Sequence, residues 1–586
     1  MYILGISCYY HDASATLLKD GKIVAAAEEE RFTRKKHDFS FPINAIDYCL
    51  KSQNISIEDI DHIGFYEKPF LKFERALYQH LETFPFSYKT FLSAMPSWFN
   101  EKLRVVKAIK KRLGYKKGIL FIEHHLAHAA SCFLLSPFRK AAIVTVDGVG
   151  EWTTTTYGLG EENRIVLKKE IRFPHSLGLL YSTITAYLGF SVNNSEYKVM
   201  GLSAYGDMNK GSNIYYKKLR KVIDIKEDGS YRLNMDYFVY HFKDRMPSKK
   251  LCMLLGGPIN KRGEEPTKRH KDIAAAIQLI TEEIFTKILN HVQKETKQEN
   301  LVVAGGVALN SVFNGKILKN TKFKNIWIQP NASDGGTSMG VVSYIYNVIL
   351  GKKRNYKFDS PYLGPYYSTE EIHSFLEDNK IKYKEFKDVN ILLKETADLI
   401  YQNNVVGWFQ EGMEWGPRAL GARSILSNPK NPKMQEILNL RVKHRERFRP
   451  FAPVVTKENA LKYFECDIPI PEATDFMLMV YPIKKRWQKI MPSVTHIDGS
   501  GRLQTVTRLQ NKRYYDLIKE FEKLSSIPIL INTSFNIRGE PIVCTPLDAY
   551  RCMMGTGIDY LVMDKFIIKR EDNPQDMWDS DRYAKD

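Results

Sequence analysis

The sequence predicts an α/β protein with a duplicated core in its first part and a second α/β domain behind it. Apolar strand patterns that end in Asp and Gly occur in two halves of the first 340 residues. Repeated strand ends of this kind favour a duplicated core with a cleft that binds phosphate. Periodicity is then lost over residues 351–368, where basic residues, Pro and Gly gather, as is typical of a domain boundary. We therefore predict domains 1–360 and 361–586.

The first half of the core begins with three predicted strands. Alternating apolar patterns predict strands over Tyr2–Ser7, Ser14–Lys19 and Lys22–Glu28. Asp20 and Gly21 separate the last two, and Asp-Gly between alternating runs is a strong hairpin signal. Such turns are also common in unrelated proteins, so this pattern alone leaves a simple succession of hairpins open.

The second half repeats the pattern with four apolar segments. A strand over Lys140–Val146 runs into the turn Asp147-Gly148-Val149-Gly150, and a Thr-rich strand follows at 152–159. Residues 301–304 run into Gly305-Gly306, and residues 326–329 run into a turn rich in Asp and Gly at 331–336. Three strand ends thus carry residue types that bind phosphate or metal.

Helices are predicted between these strands. Residues 124–135 follow a short strand, and residues 272–294 carry apolar side chains at helical spacing, which predicts a buried core helix. Residues 208–270 are rich in Lys and weakly periodic, so we interpret them as an insertion. The last dozen residues are polar, and we expect them to be frayed.

Composition indicates the partner class and the compartment. The 586 residues carry a formal net charge of +19, which suggests anionic partners: nucleic acid, a membrane surface or phosphorylated small molecules. Seven scattered Cys residues without CxxC spacing argue against a disulfide framework. The sequence shows neither a signal peptide at its start nor a run of about 18 apolar residues, so we expect a cytoplasmic protein.

A candidate metal site is the clearest constellation of functional residues. His124 and His128 are four residues apart, so a helix would place both imidazoles on one face. Asp147 and Asp334 each follow a predicted strand and precede Gly. Imidazole and carboxylate ligands suit iron, zinc, copper or nickel. Paired His residues on a helix are also ordinary surface or core residues, and this alternative stays open.

Two glycine-rich segments are candidates for binding nucleotide phosphates. The first is the turn Asp147 to Gly150, and the second runs from Gly305 to Asn310 and opens a predicted helix. Backbone amides in such turns and at helix starts bind phosphate. Neither segment is a Walker A or a Rossmann fingerprint. Glycines also simply form turns, so each signal is weak alone.

A dense cationic stretch in the second domain suggests a polyanionic ligand. Six Arg residues occur between Arg418 and Arg449, and guanidinium groups bind phosphate oxygens in a bidentate fork. Residues 531–536, with Arg538 close behind, offer hydroxyl and amide donors after a predicted strand. A solvated basic face is the alternative, but Phe448 and neighbouring Pro residues indicate buried surroundings.

Taken together, these segments resemble the NodU/CmcH/TobZ family of O-carbamoyltransferases. The resemblance covers residues 1 to about 570 in the family's order. The motifs that carry it are HHLAHAAS at 124–131, EYKVMGLSAYG at 196–206, GGVALN at 305–310, ASDGG at 332–336, EWGPRALGARSI at 414–425, RFRPFAPVV at 447–455 and NTSFNIRGEPIV at 532–543.

The resemblance implies a fold and a two-step reaction. It implies a Kae1-like domain of the actin/Hsp70 type in 1–360 and a YrdC-like α/β domain in 361–586. Family members form carbamoyl adenylate from carbamoyl phosphate and ATP with Mg²⁺. They transfer the carbamoyl group to a hydroxyl of a small acceptor, such as an antibiotic, a sugar or another secondary metabolite. The protein would thus be a transferase of one-carbon groups.

The resemblance also implies roles for individual residues. Fe²⁺ or another divalent metal would be bound by His124, His128, Asp147 and Asp334. The nucleotide would contact Gly148, Gly150, Gly305, Gly306 and Asn310. Carbamoyl phosphate and the adenylate would be bound by Arg418, Arg423, Lys443, Arg449, Arg502, Asn532, Thr533, Ser534 and Arg538. Arg418 and Lys443 would also be catalytic.

Three further residues are candidates near the reaction. His11 is the predicted general base for the acceptor hydroxyl, because a neutral imidazole titrates near physiological pH, and Asp12 stands beside it. An ordinary turn histidine is the alternative. Lys36 is predicted to reach the second domain and bind substrate, although it also fits a solvated basic loop.

Two other functions remain open. One is synthesis of threonylcarbamoyl-adenosine on tRNA, which the positive charge would fit. The other is a non-catalytic ATP-binding module on an actin-type fold, which would leave the Arg cluster without a task. We expect the small-acceptor reaction, with neither a nucleic-acid nor a membrane partner, and a homodimer is compatible with the sequence. The acceptor and the role of 208–270 cannot be read from one sequence.

Overall fold

The computed structural model of the chain describes residues 1–574 and shows a mixed α/β protein. The polar last dozen residues, for which we expected fraying, lie outside this range. The described chain divides into two compact units. The first comprises Met1–Ala26 and Phe39–Phe358, and the second comprises Ala27–Asp38 and the chain from Asp359 onward.

The first unit contains a five-stranded sheet built from the start of the chain. Its order is β3-β2-β1-β4-β5. Strand β1 is antiparallel to β2 and parallel to β4, and β4 is parallel to β5. The strands are β1 (Tyr2–Ser7), β2 (Ser14–Lys19), β3 (Lys22–Glu28), β4 (Ile60–Phe65) and β5 (Ile119–Phe121).

A second five-stranded sheet repeats the order of the first. Its strands are β6 (Lys140–Val146), β7 (Thr153–Glu161), β8 (Arg164–Arg172), β11 (Asn300–Ala304) and β12 (Asn325–Ile328), and the separate pair β9 (Ile223–Ile225) and β10 (Tyr231–Leu233) precedes β11 in the chain. The order is β12-β11-β6-β7-β8. Strand β6 is antiparallel to β7 and parallel to β11, as β1 is to β2 and β4. Residues 208–270 add no strand to either five-stranded sheet, since β9 and β10 pair only with each other.

Helices pack on both sheets of the first unit. The closest approaches depend on glycine: a Cβ at Gly340 of α14 would lie 1.9 Å from the Ala127 carbonyl oxygen of α6. Helix α1 (Glu30–Thr33) lies in residues 27–38 and belongs to the second unit. The helices of the first unit are α2 (Ile43–Lys51), α3 (Pro69–Glu82), α4 (Tyr88–Asn100), α5 (Val105–Leu113), α6 (His124–Phe133), α7 (Leu177–Tyr187), α8 (Glu196–Ser203), α9 (Ile214–Leu219), α10 (Lys249–Leu254), α11 (Lys268–Thr296), α12 (Ser311–Asn314), α13 (Ile317–Asn320) and α14 (Thr337–Tyr344).

The second unit is built on one nine-stranded sheet. The strand order is β13-β21-β20-β14-β15-β19-β16-β18-β17. The strands are β13 (Lys384–Glu385), β14 (Val406–Phe409), β15 (Arg423–Ser427), β16 (Ala452–Thr456), β17 (Met479–Pro482), β18 (Ser500–Val506), β19 (Ile529–Ser534), β20 (Tyr560–Met563) and β21 (Phe566–Lys569). The helices are α15 (Thr369–Asp378), α16 (Val389–Tyr401), α17 (Met434–Ile437), α18 (Ala460–Tyr463), α19 (Lys485–Gln488), α20 (Lys512–Ser525) and α21 (Pro546–Met554).

A short N-terminal segment, residues 27–38, belongs to the second unit although the chain around it belongs to the first. Arg31 is buried and donates to the Gly416 carbonyl oxygen at 3.0 Å. Arg34 donates to the carbonyl oxygens of Pro541 at 2.8 Å and Ile542 at 2.7 Å. Arg31 and Arg34 thus attach this segment to the second unit. Lys36, in the same segment, therefore belongs to the unit that contains the Arg-rich motifs.

Two findings bear on the environment of the protein. None of the seven Cys residues forms a disulfide, and five of them are buried. Among residues 1–574, every helix is too short or too polar to cross a bilayer.

Candidate active site

The four predicted metal ligands lie together in the first unit. His124 and His128 are one turn apart on α6, Asp147 directly follows β6, and Asp334 begins a short 3₁₀ turn after β12. One ligand atom from each residue lies within 4.8 Å of the other three. The second sheet and the helix packed on it therefore bring residues 210 positions apart into one cluster.

The distances within this His/Asp cluster are short. His124 Nε2 lies 3.1 Å from Asp147 Oδ2 and 3.2 Å from His128 Nε2. Asp334 Oδ1 lies 3.6 Å from His124 Nε2 and 3.7 Å from His128 Nε2. None of the four residues is more than 4% exposed. Two imidazole nitrogens and two carboxylates thus face one another without solvent.

The chemistry of this donor set fits a divalent cation. Both carboxylate oxygens of Asp334 are buried and accept no hydrogen bond from the described residues. A buried carboxylate without compensation is costly, and a cation would remove that cost. Burial raises the pKa of Asp334, but the charges of His11 and His124 outweigh it and lower the pKa. The carboxylate is therefore ionised at neutral pH and ready to bind a metal.

The predicted glycines lie against the cluster. The Gly306 amide donates to Asp147 Oδ1 at 2.9 Å. Gly305 has a φ of +93°, and a Cβ there would lie 2.3 Å from the Val146 carbonyl oxygen. A Cβ at Gly150 would lie 3.0 Å from the His124 ring. Only glycine fits at Gly305, and a Cβ at Gly150 would require the His124 ring to shift. The glycines therefore shape the site whether or not they contact a nucleotide.

Gly148 and Asn310 have partners within the chain. Ser176 donates to the Gly148 carbonyl oxygen at 2.7 Å. The Asn310 side chain accepts from the Phe313 amide at 3.1 Å and donates to Gln278 Oε1 at 2.9 Å. Asn310 therefore caps the start of α12, and its contact with a nucleotide stays a prediction.

His11 and Asp12 lie beside the cluster, in the turn between β1 and β2. His11 Nδ1 is 3.1 Å from Asp12 Oδ2, and Nε2 is 3.7 Å from Asp334 Oδ2. Burial lowers the pKa of His11, but the Asp334 charge and the Asp12 hydrogen bond outweigh it and raise the pKa to about 10. In this state the imidazole is protonated at neutral pH, so it is a donor and can act as a base only after losing its proton.

Two neighbours of the cluster were not found from the sequence. Both oxygens of Glu151 accept from the His124 amide at 3.1 Å, which fixes the start of α6. Glu151 directly follows the predicted turn 147–150, and this position could have marked it as a candidate site residue. The Tyr66 ring centroid lies 5.5 Å from that of His124, and its hydroxyl is buried with no hydrogen-bond partner among the described residues. No sequence motif marks Tyr66.

Lys443 is the centre of a cationic group in the second unit. Its ammonium is buried and donates to the Asn536 carbonyl and Oδ1 at 2.9 Å, and to both oxygens of Ser534. Burial lowers the pKa of Lys443, and the nearby charges of Arg445, Arg449 and Lys36 lower it further, well below its ordinary value. Four of the predicted substrate-binding residues, Lys36, Lys443, Arg449 and Ser534, therefore interact.

Two further predicted cations meet at one carboxylate. Arg449 and Arg538 lie 3.6 Å and 3.7 Å from the Glu446 carboxylate. Arg502 lies on β18, half-buried, and Arg418 lies half-buried in the loop before β15. The structure thus gathers Arg449 and Arg538 with Lys443, while the roles of Arg418 and Arg502 stay predictions.

Arg423 has a clear structural role. Its guanidinium is fully buried and donates to the carbonyl oxygens of Gln410 at 2.6 Å, Glu411 at 3.1 Å and Pro365 at 2.9 Å. It also stacks on the Phe409 ring at 3.6 Å. These bonds hold three chain segments together and direct the guanidinium into the protein. Its predicted contact with phosphate stays untested.

The remaining predicted residues, Asn532 and Thr533, are on β19. Asn532 Nδ2 donates to the Ala419 carbonyl at 3.0 Å and to Gln504 Oε1 at 2.6 Å. Thr533 pairs with Ile425 of β15. Asn532 therefore ties the Arg418 loop to the sheet, which is a task within the protein.

Comparisons with known proteins identify the family. Residues 2–342 match the family model described as carbamoyltransferase N-terminus, and residues 397–570 match the one described as carbamoyltransferase C-terminus. An uncharacterised protein of Synechocystis sp. is 46% identical, over 98% of this chain and 97% of that protein. Nodulation protein NolNO of Sinorhizobium fredii is 33% identical, over 97% of this chain and 80% of that protein.

A solved structure of Acidaminococcus fermentans 2-hydroxyglutaryl-CoA dehydratase component A is 12% identical, with a TM-score of 0.31, over 59% of this chain and 97% of that one. This likeness is too weak to support an argument. The two family models together cover most of the sequence, so the family resemblance is confirmed. The chain belongs to the carbamoyltransferase family and is a transferase.

Proposed function

We propose that the protein is an ATP-dependent O-carbamoyltransferase that works in two steps. Water first converts carbamoyl phosphate to carbamate and phosphate. A carbamate oxygen then attacks the α-phosphorus of ATP, held with Mg²⁺, which forms carbamoyl adenylate and releases pyrophosphate. In the second step a hydroxyl of a small acceptor attacks the carbamoyl carbon, its proton leaves to a base, and AMP departs.

The environment of Lys443 is the observation that carries the first step. Three cations, Arg445, Arg449 and Lys36, lower the pKa of this buried side chain, and Cys552 acts in the opposite direction. Like charges gathered in a buried place repel one another, and a bound polyanion removes that repulsion. Carbamoyl phosphate and ATP are such anions. We therefore place activation in the second unit.

The His/Asp cluster supports the proposal that the second step, carbamoyl transfer to the acceptor, takes place in the first unit. His124, His128, Asp147 and Asp334 would bind the divalent metal, which when bound supplies a Lewis acid for a phosphoryl or carbonyl oxygen. The amides of the glycine segments at 148–150 and 305–306 would bind the AMP phosphate. His11 or Asp12 would take the acceptor proton once His11 is neutral.

We also propose fold assignments for the two units. The identical strand orders of the two five-stranded sheets support a duplicated, actin-type Kae1-like fold for the first unit. We assign the second unit to the YrdC-like class because it contains the cationic motifs of the family. The carbamoyl acceptor would be a small secondary metabolite.

The test measures each half-reaction separately. The protein is incubated with carbamoyl phosphate, ATP and Mg²⁺, and pyrophosphate and carbamoyl adenylate are followed by mass spectrometry. Lys443→Met should reduce pyrophosphate release at least about a hundredfold, since it removes a cation held against the developing charge. Arg447→Ala is the matched control, because Arg447 has a side chain 74% exposed in the same segment.

Two outcomes would contradict the proposal. Absence of pyrophosphate above background with metal supplied would refute adenylate formation. His128→Ala should lose bound metal, measured by mass spectrometry of the elements, while it still forms carbamoyl adenylate. Equal loss of pyrophosphate release in His128→Ala and Lys443→Met would refute the division of labour between the two units.

A further inference from the structure

Helix α3, in the segment between β4 and β5, buries charged side chains and exposes apolar ones. Helix α3 buries Lys72 and Arg75 on its inner face. Its outer face exposes Phe70, Tyr78 and Leu81, with Phe70 73% exposed. A helix on the surface of a soluble protein normally turns its apolar stripe inward. The outer apolar face of α3 therefore needs an explanation other than the core.

The apolar exposure continues through the turn after α3 and along α4. Phe84 and Phe86 in this turn are 68% and 74% exposed. Tyr88, Leu92 and Phe99 are also exposed, and their spacing places them on one face of α4. Phe73 of α3 contacts the Phe99 ring at 5.8 Å, so the two helices pack side by side. An exposed apolar area of this extent marks an interaction surface.

Cations follow this apolar surface in the sequence. Between residues 88 and 117 the chain has nine Lys and Arg residues and a single acidic one, Glu101, which is a formal net charge of +8. Lys107, Lys110 and Lys111 of α5 are exposed. Together with Leu103, Arg104 and Val106 they line a shallow recess in which apolar and cationic side chains alternate. These thirty residues account for a large part of the excess charge of the protein.

From the sequence we expected no membrane partner, but we propose that residues 69–117, the α3–α5 surface, dock on the face of an anionic lipid bilayer. Aromatic side chains insert at the boundary between headgroups and acyl chains, and Lys and Arg residues bind the anionic headgroups. The positive charge of the surface is complementary to anionic lipid headgroups and therefore favours a bilayer as its partner. A second copy of the chain would bring two strongly positive surfaces together, which repel each other. A partner with an anionic, apolar surface avoids that repulsion, and a bilayer provides both properties.

The docking is peripheral and leaves the structure of the first unit intact. The α3–α4 turn is anchored through Gln79, which donates to the His241 carbonyl oxygen, and through Thr90, which donates to the Phe242 carbonyl oxygen at 3.2 Å. On the inner side of α3, the Lys72 ammonium lies 4.6 Å from the Tyr10 ring centroid, next to His11. One helix thus contacts the surroundings of the His/Asp cluster and presents the docking face.

Flotation with lipid vesicles tests the proposal on the full chain. We expect binding to vesicles of phosphatidylcholine with about 30% phosphatidylglycerol, and much weaker binding to phosphatidylcholine alone. Each surface Lys contributes about 1 kcal/mol, so Lys110→Glu with Lys111→Glu should lower the partition coefficient at least about tenfold. Lys352→Glu with Lys353→Glu changes the charge equally at exposed positions elsewhere, and it should have little effect.

A second pair of variants tests the apolar contribution. Phe84→Ser with Phe86→Ser should reduce vesicle binding, and Met253→Ser with Leu509→Ser, at positions 73% and 98% exposed, is the control. All four side chains are exposed, so folding should not change. Equal binding to both vesicle types, or no binding, would overturn the proposal. Self-association that is lost only in the Phe84/Phe86 variant would overturn it in favour of a dimer interface.

Discussion

At the scale of single residues, Asp334 decides whether the cluster binds a metal. Its two oxygens are buried and accept no hydrogen bond from residues 1–574. His124, His128 and Asp147 could satisfy one another through their short contacts, whereas Asp334 has only distant imidazoles at 3.6 to 3.7 Å. A bound cation would give this buried charge a direct partner in addition to the His11 and His124 charges.

Replacing Asp334→Asn should therefore abolish metal binding. We expect the bound divalent metal, measured after reconstitution with Fe²⁺ or Mn²⁺, to fall at least about tenfold, because the ligand charge is lost. Without metal, the variant should be less stable than the unchanged protein at neutral pH, since the lowered pKa of Asp334 means that His11 and His124 stabilise its charge in the fold. Asp224→Asn, at an exposed position of β9, should retain its metal. Unchanged metal content in Asp334→Asn would contradict this assignment.

Substitutions of Arg418 and Arg423 should distinguish a residue that binds phosphate from one that stabilises the fold. Arg423→Met leaves several buried carbonyl oxygens without donors, so we expect a loss of about 3 kcal/mol in the free energy of unfolding. Arg418→Met, in the same loop, should abolish pyrophosphate release, and it should lower the free energy of unfolding less than Arg423→Met does because the Arg418 side chain is only half-buried. Urea unfolding and the pyrophosphate assay measure the two effects. A stable Arg423→Met protein without activity would instead show that Arg423 contacts phosphate.

The sequence predicted some residues of the candidate active site and did not reveal others. The His/Asp cluster was predictable because each member belongs to a short motif at a strand end or on a helix face. Glu151 and Tyr66 were not singled out, since their roles depend on what the fold places beside α6. Arg423 was predicted as a ligand for phosphate, and only the carbonyl oxygens around it reveal its structural role.

At the scale of elements, the loop from Gly416 to Arg423 is the most constrained part of the second unit. Glu414 Oε1 accepts from the amides of Leu420, Ala422 and Arg423 at 2.7 to 3.0 Å. Gly421 has a φ of +107°, and a Cβ there would lie 2.2 Å from the Tyr514 ring. Carboxylate and glycine together fix the position of Arg418, which explains why these residue types occur together.

Gly421→Ala should destabilise the protein more than Gly114→Ala. Both glycines have positive φ, but a Cβ at Gly114 would meet no atom within 4 Å. We expect Gly114→Ala to cost about 1 kcal/mol from backbone strain. Gly421→Ala adds a clash with Tyr514, so about 2 kcal/mol more is expected. Urea unfolding checks this difference, and equal losses would show that Tyr514 moves away freely.

Strands and helices whose apolar residues recur at regular spacing were predicted well. The first three strands begin and end as the alternating pattern predicts, and α11 extends the predicted helix at 272–294 by a few residues at each end. The segment that contains α3 to α5 received no prediction. Apolar residues such as Phe70, Phe84 and Phe86 face solvent there, and a rule that turns apolar residues inward would have misplaced them.

At the scale of the whole molecule, the chain crosses between its two units three times. Residues 27–38 leave the first unit, join the second and return. Phe32 packs against an apolar group formed by Met413, Ala419, Ile542 and Cys544. The second unit is therefore incomplete without a segment from the start of the chain.

Arg34→Ala should loosen this segment. The substitution removes the two hydrogen bonds to the Pro541 and Ile542 carbonyls, each contributing about 1 kcal/mol. Amide hydrogens in residues 29–38 should exchange at least about tenfold faster, as measured by mass spectrometry. Lys35→Ala, at an exposed neighbouring position, should exchange as the unchanged protein does. Equal protection in both variants would show that Arg31 and Phe32 hold the segment without Arg34.

The sequence by itself determined the α/β class, the repeated strand ends, the family and the members of the His/Asp cluster. Periodicity and short motifs record these features, because local spacing decides strand or helix and residue type decides ligand chemistry. The tertiary structure alone decided which unit residues 27–38 join, which Arg residues face carbonyl oxygens, and that α3 turns its apolar side outward. These depend on contacts between residues far apart in the chain, and no local pattern encodes such contacts.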